Sequence, residues 1–185
     1  ALIKWLVNDL ELIQTSRESG QFAMQVKDTG GVYFVPAFSG LGAPYWDNDA
    51  RAMICGITAA TKKAHLVRAA EEAIAYQIRD ITEQLALCGK TVGLLCVDGG
   101  ATNDQFLMQF VSDMTGAPLK RSSIEELSAA GAAYLAALSV GIATQTEIFS
   151  SIEYTQVEPS MQQTQRERLY KGWKKAVAMV TEKKR

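Results

Sequence analysis

Apolar residues recur along this chain at two periods, and the changes of period mark where elements begin and end. From Leu2 to Leu12 they fall at helical spacing, and a second helical stretch runs from about Ser16 to Lys27. Gly30-Gly31 breaks that pattern. Val32-Tyr33-Phe34-Val35 then reads as a strand, stopped by Pro36, and Met53 to Ile57 reads as another. Residues 65 to 87 predict the longest helix, with Leu66, Ala69, Ala73, Ile74, Ile78 and Ile81 on one stripe and Gly89 closing it.

A strand over Val92–Val97 follows, then a helix over Asn103–Thr115 with Gly116 just past its end. A short strand, Pro118–Arg121, precedes a small-residue helix from Ser128 to Val140, which Gly141 ends. A loop to about Ser160 leads into an amphipathic helix over Gln162–Lys183. Alternation of this kind, with short connections and no repeat, linker or low-complexity tract, predicts one α/β domain over residues 1–185.

Composition narrows the picture without changing it. The 185 residues are 48% hydrophobic and 21% charged, with a formal net charge of −1. That balance speaks against nucleic acid or an anionic membrane as a partner. The locally basic end, Glu182-Lys183-Lys184-Arg185, reads as a solvated helix terminus. Cys55, Cys88 and Cys96 are widely spaced in apolar contexts, which predicts buried or partly buried thiols in a reducing compartment. A zinc site is not expected, since His65 is the only histidine. With no membrane-length apolar run and no signal peptide, the expected location is cytoplasmic. The chain opens Ala-Leu-Ile-Lys-Trp, without methionine and already in helical period, so its start reads as a cut.

Three stretches carry candidate chemistry. The segment "CVDGGATNDQFLMQF" (96–110) hands a buried strand over to a helix through Asp98-Gly99-Gly100. Ligands collect at the carboxyl ends of strands in open α/β sheets. Glycines there let a base, ribose or phosphate approach the helix's first N–H groups. A plain tight turn would use the same residues. Neither GxGxxG nor GxxxxGK[ST] is present, so dinucleotide and P-loop readings are not supported. The loop "GLGAPYWD" (40–47) either packs on itself or presents Tyr45 and Trp46 to something else. In "GAAYLAAL" (131–138) the small residues predict tight packing of a helix on a sheet. On the long helix Arg68, Glu71, Glu72 and Arg79 read as solvated charges, and His65 as a hydrogen-bonding residue at the helix start.

"VYFVPAFSGLGAPYWD", "HLVRAAEEAIAYQIRD", "VDGGATNDQFLMQF" and "AAGAAYLAAL" stand here in the order and at the separations of the carboxy-terminal half of the FGGY family of sugar and polyol kinases. The likeness extends to "YKGWKKAV" near the end. Within the family, "PAFSGLGAPYWD" resembles the glycerol kinases. The resemblance implies a ribonuclease-H-like (actin-like ATPase) domain, a mixed sheet flanked by helices on both faces. It implies an enzyme that uses ATP and Mg²⁺ to phosphorylate glycerol or a related polyol, yielding ADP.

Carried over by position, the second glycine of the turn, which contacts the nucleotide in the family, is Gly100, beside Gly99. The position four residues later, usually Asn, is Asp104, with Asn103 one place before it. The family's Gln on the first helix is Lys4. The catalytic base, the polyol site and the carboxylates for Mg²⁺ belong to the family's amino-terminal half, so the expected catalytic and metal-ligand sets here are empty. The chain alone is therefore expected to be inactive. Against this enzyme-fragment reading stands a non-catalytic nucleotide-binding or interaction module of the same fold, favoured by Lys4 and Asp104. An FGGY kinase for another polyol or sugar is also open, and a homo-oligomer is compatible with either class.

Overall fold

The longest apolar stripe makes the organising element. In the computed structural model, which describes residues 2–124, 126–150 and 152–181, the helix α3 (Lys63–Leu87) runs through the core. It buries Val67, Ala70, Ala73 and Tyr76. Small side chains on that face let neighbours approach closely. Packed against it are β1 (Tyr33–Val35), a short helix α2 (Ser19–Ala23) and α4 (Gln105–Thr115). The helices α1 (Leu2–Asn8) and α7 (Gln163–Thr181) complete the same core. At its centre Tyr76 stacks on the fully buried Trp173 at 5.3 Å and meets Phe110 edge-on at 5.7 Å.

The strands divide into two small sheets. β1 pairs antiparallel with β2 (Met53–Cys55), register Phe34 to Ile54. In the second sheet β3 (Leu95–Val97) runs parallel to β4 (Leu119–Ser122), and β4 runs antiparallel to β5 (Tyr154–Val157). The expected strands all form, β1, β2 and β3 shorter than their apolar runs and β4 shifted by one residue, but they do not join into one sheet. β5 and a short helix, α6 (Gln145–Ser150), occupy the stretch expected as loop. β5 joins through backbone pairing with β4, and three of its four residues are exposed, so no apolar run announces it.

Helix α5 (Leu127–Ser139) corrects another expectation. None of its residues is buried, and a Cβ at Gly131 would meet nothing within 4 Å. The small-residue face is open rather than packed on a sheet. Likewise β3 is an edge strand in this sheet, leaving Cys96 exposed. Cys88 is exposed beyond the end of α3, and only Cys55 is partly buried. The residues Glu182–Arg185 lie outside those described. Among the described residues no helix is long and apolar enough to cross a membrane.

The 40–47 loop resolves into two halves. Leu41 and Asp47 exchange backbone hydrogen bonds of 2.7 and 2.9 Å, closing the loop at its base. The Tyr45 ring packs on the core, while Trp46 is 77% exposed with φ +51°.

Candidate functional site

Beyond β3 the chain turns through Gly99, at φ +88°, into a single 3-10 turn, Gly100–Asn103, and then into α4. Only Gly99 needs glycine's conformational freedom here. Gly100 lies outside the left-handed region, and a Cβ there would meet nothing within 4 Å. Its bareness therefore leaves open space, which is what a site for a closely approaching ligand requires.

That space is part of a cleft of about 600 Å³. Its walls come from four places in the chain. α1 gives Ile3, the 3-10 turn Ser16–Glu18 and the start of α2 give Ser16, Arg17 and Ser19, and α3 gives Glu71 and Ile74. Gly100, Ala101, Asn103, Asp104 and Leu107 close it. Ile3, Ile74, Ala101 and Leu107 make apolar walls, Arg17 is an exposed cation, and two carboxylates stand among them. Apolar surface with a few convergent polar groups is the usual make-up of a small-molecule site.

Of the residues expected at such a site, Gly100, Asn103 and Asp104 come together in the cleft lining. Gly99 shapes the turn from outside it. Lys4 is exposed on α1, where Ile3 faces the cleft instead. No ion pair joins Lys4 to Asp104 among the described residues. Asp104 has a structural task as the N-cap of α4, its Oδ1 accepting the Leu107 N–H at 3.0 Å. Gly20 of α2 makes room for that carboxylate, since a Cβ at position 20 would collide with it. Asn103 is held by Arg121 of β4, whose Nη2 donates to Oδ1 at 2.5 Å.

The charges on α3 are not solvated. Glu72 accepts from Arg68 at 2.8 Å and from the Tyr76 hydroxyl at 3.0 Å. Arg79 reaches Glu167 of α7 at 2.7 Å. Glu71 is 1% exposed, and its Oε2 has no hydrogen-bond partner. Burial, with the negative charge of Asp104 adding to it, pushes its carboxyl up to about 7. The sequence carried one signal for this. Glu71 lies on the same face as Val67, Ile74 and Ile78, which a solvated charge would avoid. The expected role for His65 is met: its Nδ1 accepts the Lys62 N–H at 2.9 Å, capping the first turn of α3.

Residues 1–140 match the FGGY family of carbohydrate kinases, C-terminal domain. Glycerol kinase from Carboxydothermus hydrogenoformans is 49% identical over 185 residues, covering 98% of this chain and 37% of that protein. Glycerol kinase 2 from Thermotoga maritima is 48% identical, covering 96% and 36%. Among solved structures, Plasmodium falciparum glycerol kinase with ADP superposes at a TM-score of 0.86 with 35% identity, over 96% of this chain and 36% of that one. Xylulose kinase from Lactobacillus acidophilus, 21% identical, shares the fold at a TM-score of 0.79, over 98% of this chain and 39% of its own. The chain thus spans little more than a third of the length of these relatives. The expected α/β class of actin-like ATPase type is borne out by these likenesses. The bare turn before α4, the motifs on either side of it and the match across residues 1–140 agree: the chain belongs to the FGGY family of carbohydrate kinases and corresponds to its carboxy-terminal domain.

Proposed function

We propose that the cleft beside Gly100 is a nucleotide site, and that this chain is the nucleotide-binding part of a cytoplasmic, ATP-dependent glycerol kinase. The observation that carries the reading is the open face at Gly100, where nothing approaches within 4 Å of a would-be Cβ, inside a cleft with apolar walls. The nearly 50% identity to glycerol kinases directs that cleft toward ATP and glycerol chemistry. In this reading a purine lies between Ile3, Ile74 and Leu107, and Gly100 and Ala101 give the ligand close access to backbone. Arg17 supplies positive charge for the phosphates. ATP supplies the transferable phosphoryl group.

No Mg²⁺ ligand set is assigned within this chain. Among the described residues no group of three or more His, Cys, Asp or Glu is placed to hold a metal ion, so no step is assigned to one. The polyol site, the catalytic base and the metal ligands are assigned to an amino-terminal part of the enzyme, and the start of this domain to the same segment. Purified alone, the 185-residue chain should give no ATP-dependent phosphorylation of glycerol. Phosphoryl transfer needs an oriented nucleophile beside the bound nucleotide.

Titrating ADP into the ¹⁵N-labelled chain tests the reading. Amide shifts should concentrate at Ile74, Gly100, Ala101 and Asn103, with weak affinity, and should vanish in Gly100→Val. That substitution fills the cleft without backbone strain, because Gly100 is outside the left-handed region. Equal binding by wild type and Gly100→Val, both folded, would mean that the turn is only a turn.

A further inference from the structure

Glu71 is the one buried carboxyl on α3 left with a bare oxygen. It lines the cleft, and its Oε2 has no partner. Native structures seldom leave such an atom unsatisfied unless something else completes it. Its own helix offers no partner, because Arg68 and Glu72 are taken by each other at 2.8 Å. From the other elements around the cleft come Asp104 at the start of α4, the Ser19 hydroxyl of α2 and the exposed Arg17. Ser19 already donates its hydroxyl to the Ser16 carbonyl at 2.7 Å, and Asp104 is occupied with the Leu107 N–H. Asn103 is engaged by Arg121 through its Oδ1 and Ser16 through its carbonyl, and Ile3, Ile74, Ala101 and Leu107 make the rest of the wall apolar.

We propose that Glu71 is a specificity determinant of this cleft, its carboxyl hydrogen-bonding the amino edge of a purine held between Ile3, Ile74 and Leu107. The inference rests on the nucleotide reading above and adds which base is chosen. A neutral carboxyl presents one donor beside one acceptor. That pair complements adenine, which offers N1 as acceptor beside the N6 amino donor. An ionised carboxylate presents two acceptors and complements guanine, which offers N1–H beside the N2 amino group. Burial that holds the carboxyl up to about 7 keeps the adenine-reading form populated near neutrality. The sign follows: adenine binding requires the proton, so it strengthens as pH falls through 7 and weakens above it.

The test is a chemical-shift titration of the 185-residue chain with ADP and with GDP, at pH 6 and pH 8, in wild type, Glu71→Gln and Glu71→Leu. Glutamine keeps the donor and acceptor of the neutral acid but cannot titrate. Wild type should prefer ADP at pH 6 and lose about tenfold in ADP affinity by pH 8, as the neutral fraction falls. Glu71→Gln should hold its ADP preference at both values. Because that variant also carries the ligand's own phosphate titration, the difference between the two proteins isolates Glu71. Glu71→Leu should bind ADP and GDP alike; if it fails to fold, the glutamine comparison decides alone. Nucleotide binding in which Glu71→Gln follows the wild-type pH dependence, or in which ADP and GDP never differ, would overturn the role of Glu71. Silence of the cleft resonances toward both nucleotides at both pH values would instead remove the nucleotide reading, and this inference with it.

Discussion

Asp80 and Glu71 stand on one helix, each about 1% exposed, and they are treated oppositely by their surroundings. Asp80 has both oxygens engaged. The Tyr170 hydroxyl lies 2.6 Å from Oδ1, Trp173 Nε1 donates to Oδ2 at 2.9 Å, and Lys174 comes within 3.9 Å. Glu71 has one oxygen without a partner. Burial pushes both carboxyls up, but around Asp80 two aromatic donors and an ammonium oppose it. The contrast separates two uses of a buried acid. A fully bonded carboxyl fixes how helices meet, here α3 against α7. One with an unpartnered oxygen beside a cleft is free to be completed by a ligand.

The comparison can be broken first at its structural end. Asp80→Ala leaves the Trp173 N–H buried with no acceptor and the Tyr170 hydroxyl with only Glu83, at 2.9 Å. It should lose about 3–5 kcal/mol, the range for removing one partner of a buried charged network. Urea denaturation of the variant measures this, and a loss under about 1 kcal/mol would mean that the α3–α7 contact rests on the stacked Tyr76 and Trp173 rings alone.

Glu71 gives the next effect, and its sign is worked from its shift. The folded carboxyl titrates at about 7, against 4.5 for the ordinary group. The native state therefore holds a proton that the unfolded state releases between those values. Stability contributed by Glu71 is fully present below pH 4.5 and is lost as pH rises through 7, by about 3 kcal/mol. Glu72 and Asp80 are also shifted upward by burial, so wild type should soften with rising pH for several reasons. The difference between wild type and Glu71→Gln, unfolded by urea at pH 5 and pH 8, isolates the one group. Parallel pH profiles in the two proteins would show that Glu71 finds a partner in solution.

Much of this was legible in the chain, and the gaps have physical causes. The helices α3, α4 and α7 were readable because their stripes are long and two of them end at glycine, Gly89 and Gly116. The bare turn at Gly99-Gly100 was readable because an apolar run stops there and a helical period starts. The division into two sheets was not, since pairing partners are chosen by backbone geometry between distant segments, and β5 has almost no apolar pattern to show. The burial of Glu71 was legible only in its place on the Val67–Ile74–Ile78 face, and its neighbour masked even that. Local spacing makes Glu71-Glu72 look like a solvated pair, and only the packing of α2 and of the α4 start onto α3 takes them out of water. Gly20, whose bareness admits Asp104, carried no local signal at all.

The smallest expected effect sharpens the comparison from the other side of the cleft. Asp104 touches both uses at once, since it caps α4 through the Leu107 N–H and its charge raises the Glu71 carboxyl. Substitution by alanine removes both functions and should cost about 1 kcal/mol for the lost cap. Substitution by asparagine keeps an acceptor of nearly equal capping strength, so stability should stay within a few tenths of a kcal/mol. The charge, however, is gone. The pH at which wild type and Glu71→Gln diverge should accordingly move down when both are rebuilt on Asp104→Asn, because the proton on Glu71 is no longer favoured by a neighbouring anion. Urea midpoints across pH 5 to 8 for the four proteins read both quantities. If asparagine costs as much as alanine, the negative charge at the start of α4 matters more than the hydrogen bond it accepts. If the divergence does not move, Asp104 and Glu71 do not sense each other, and the cleft floor is two independent carboxylates.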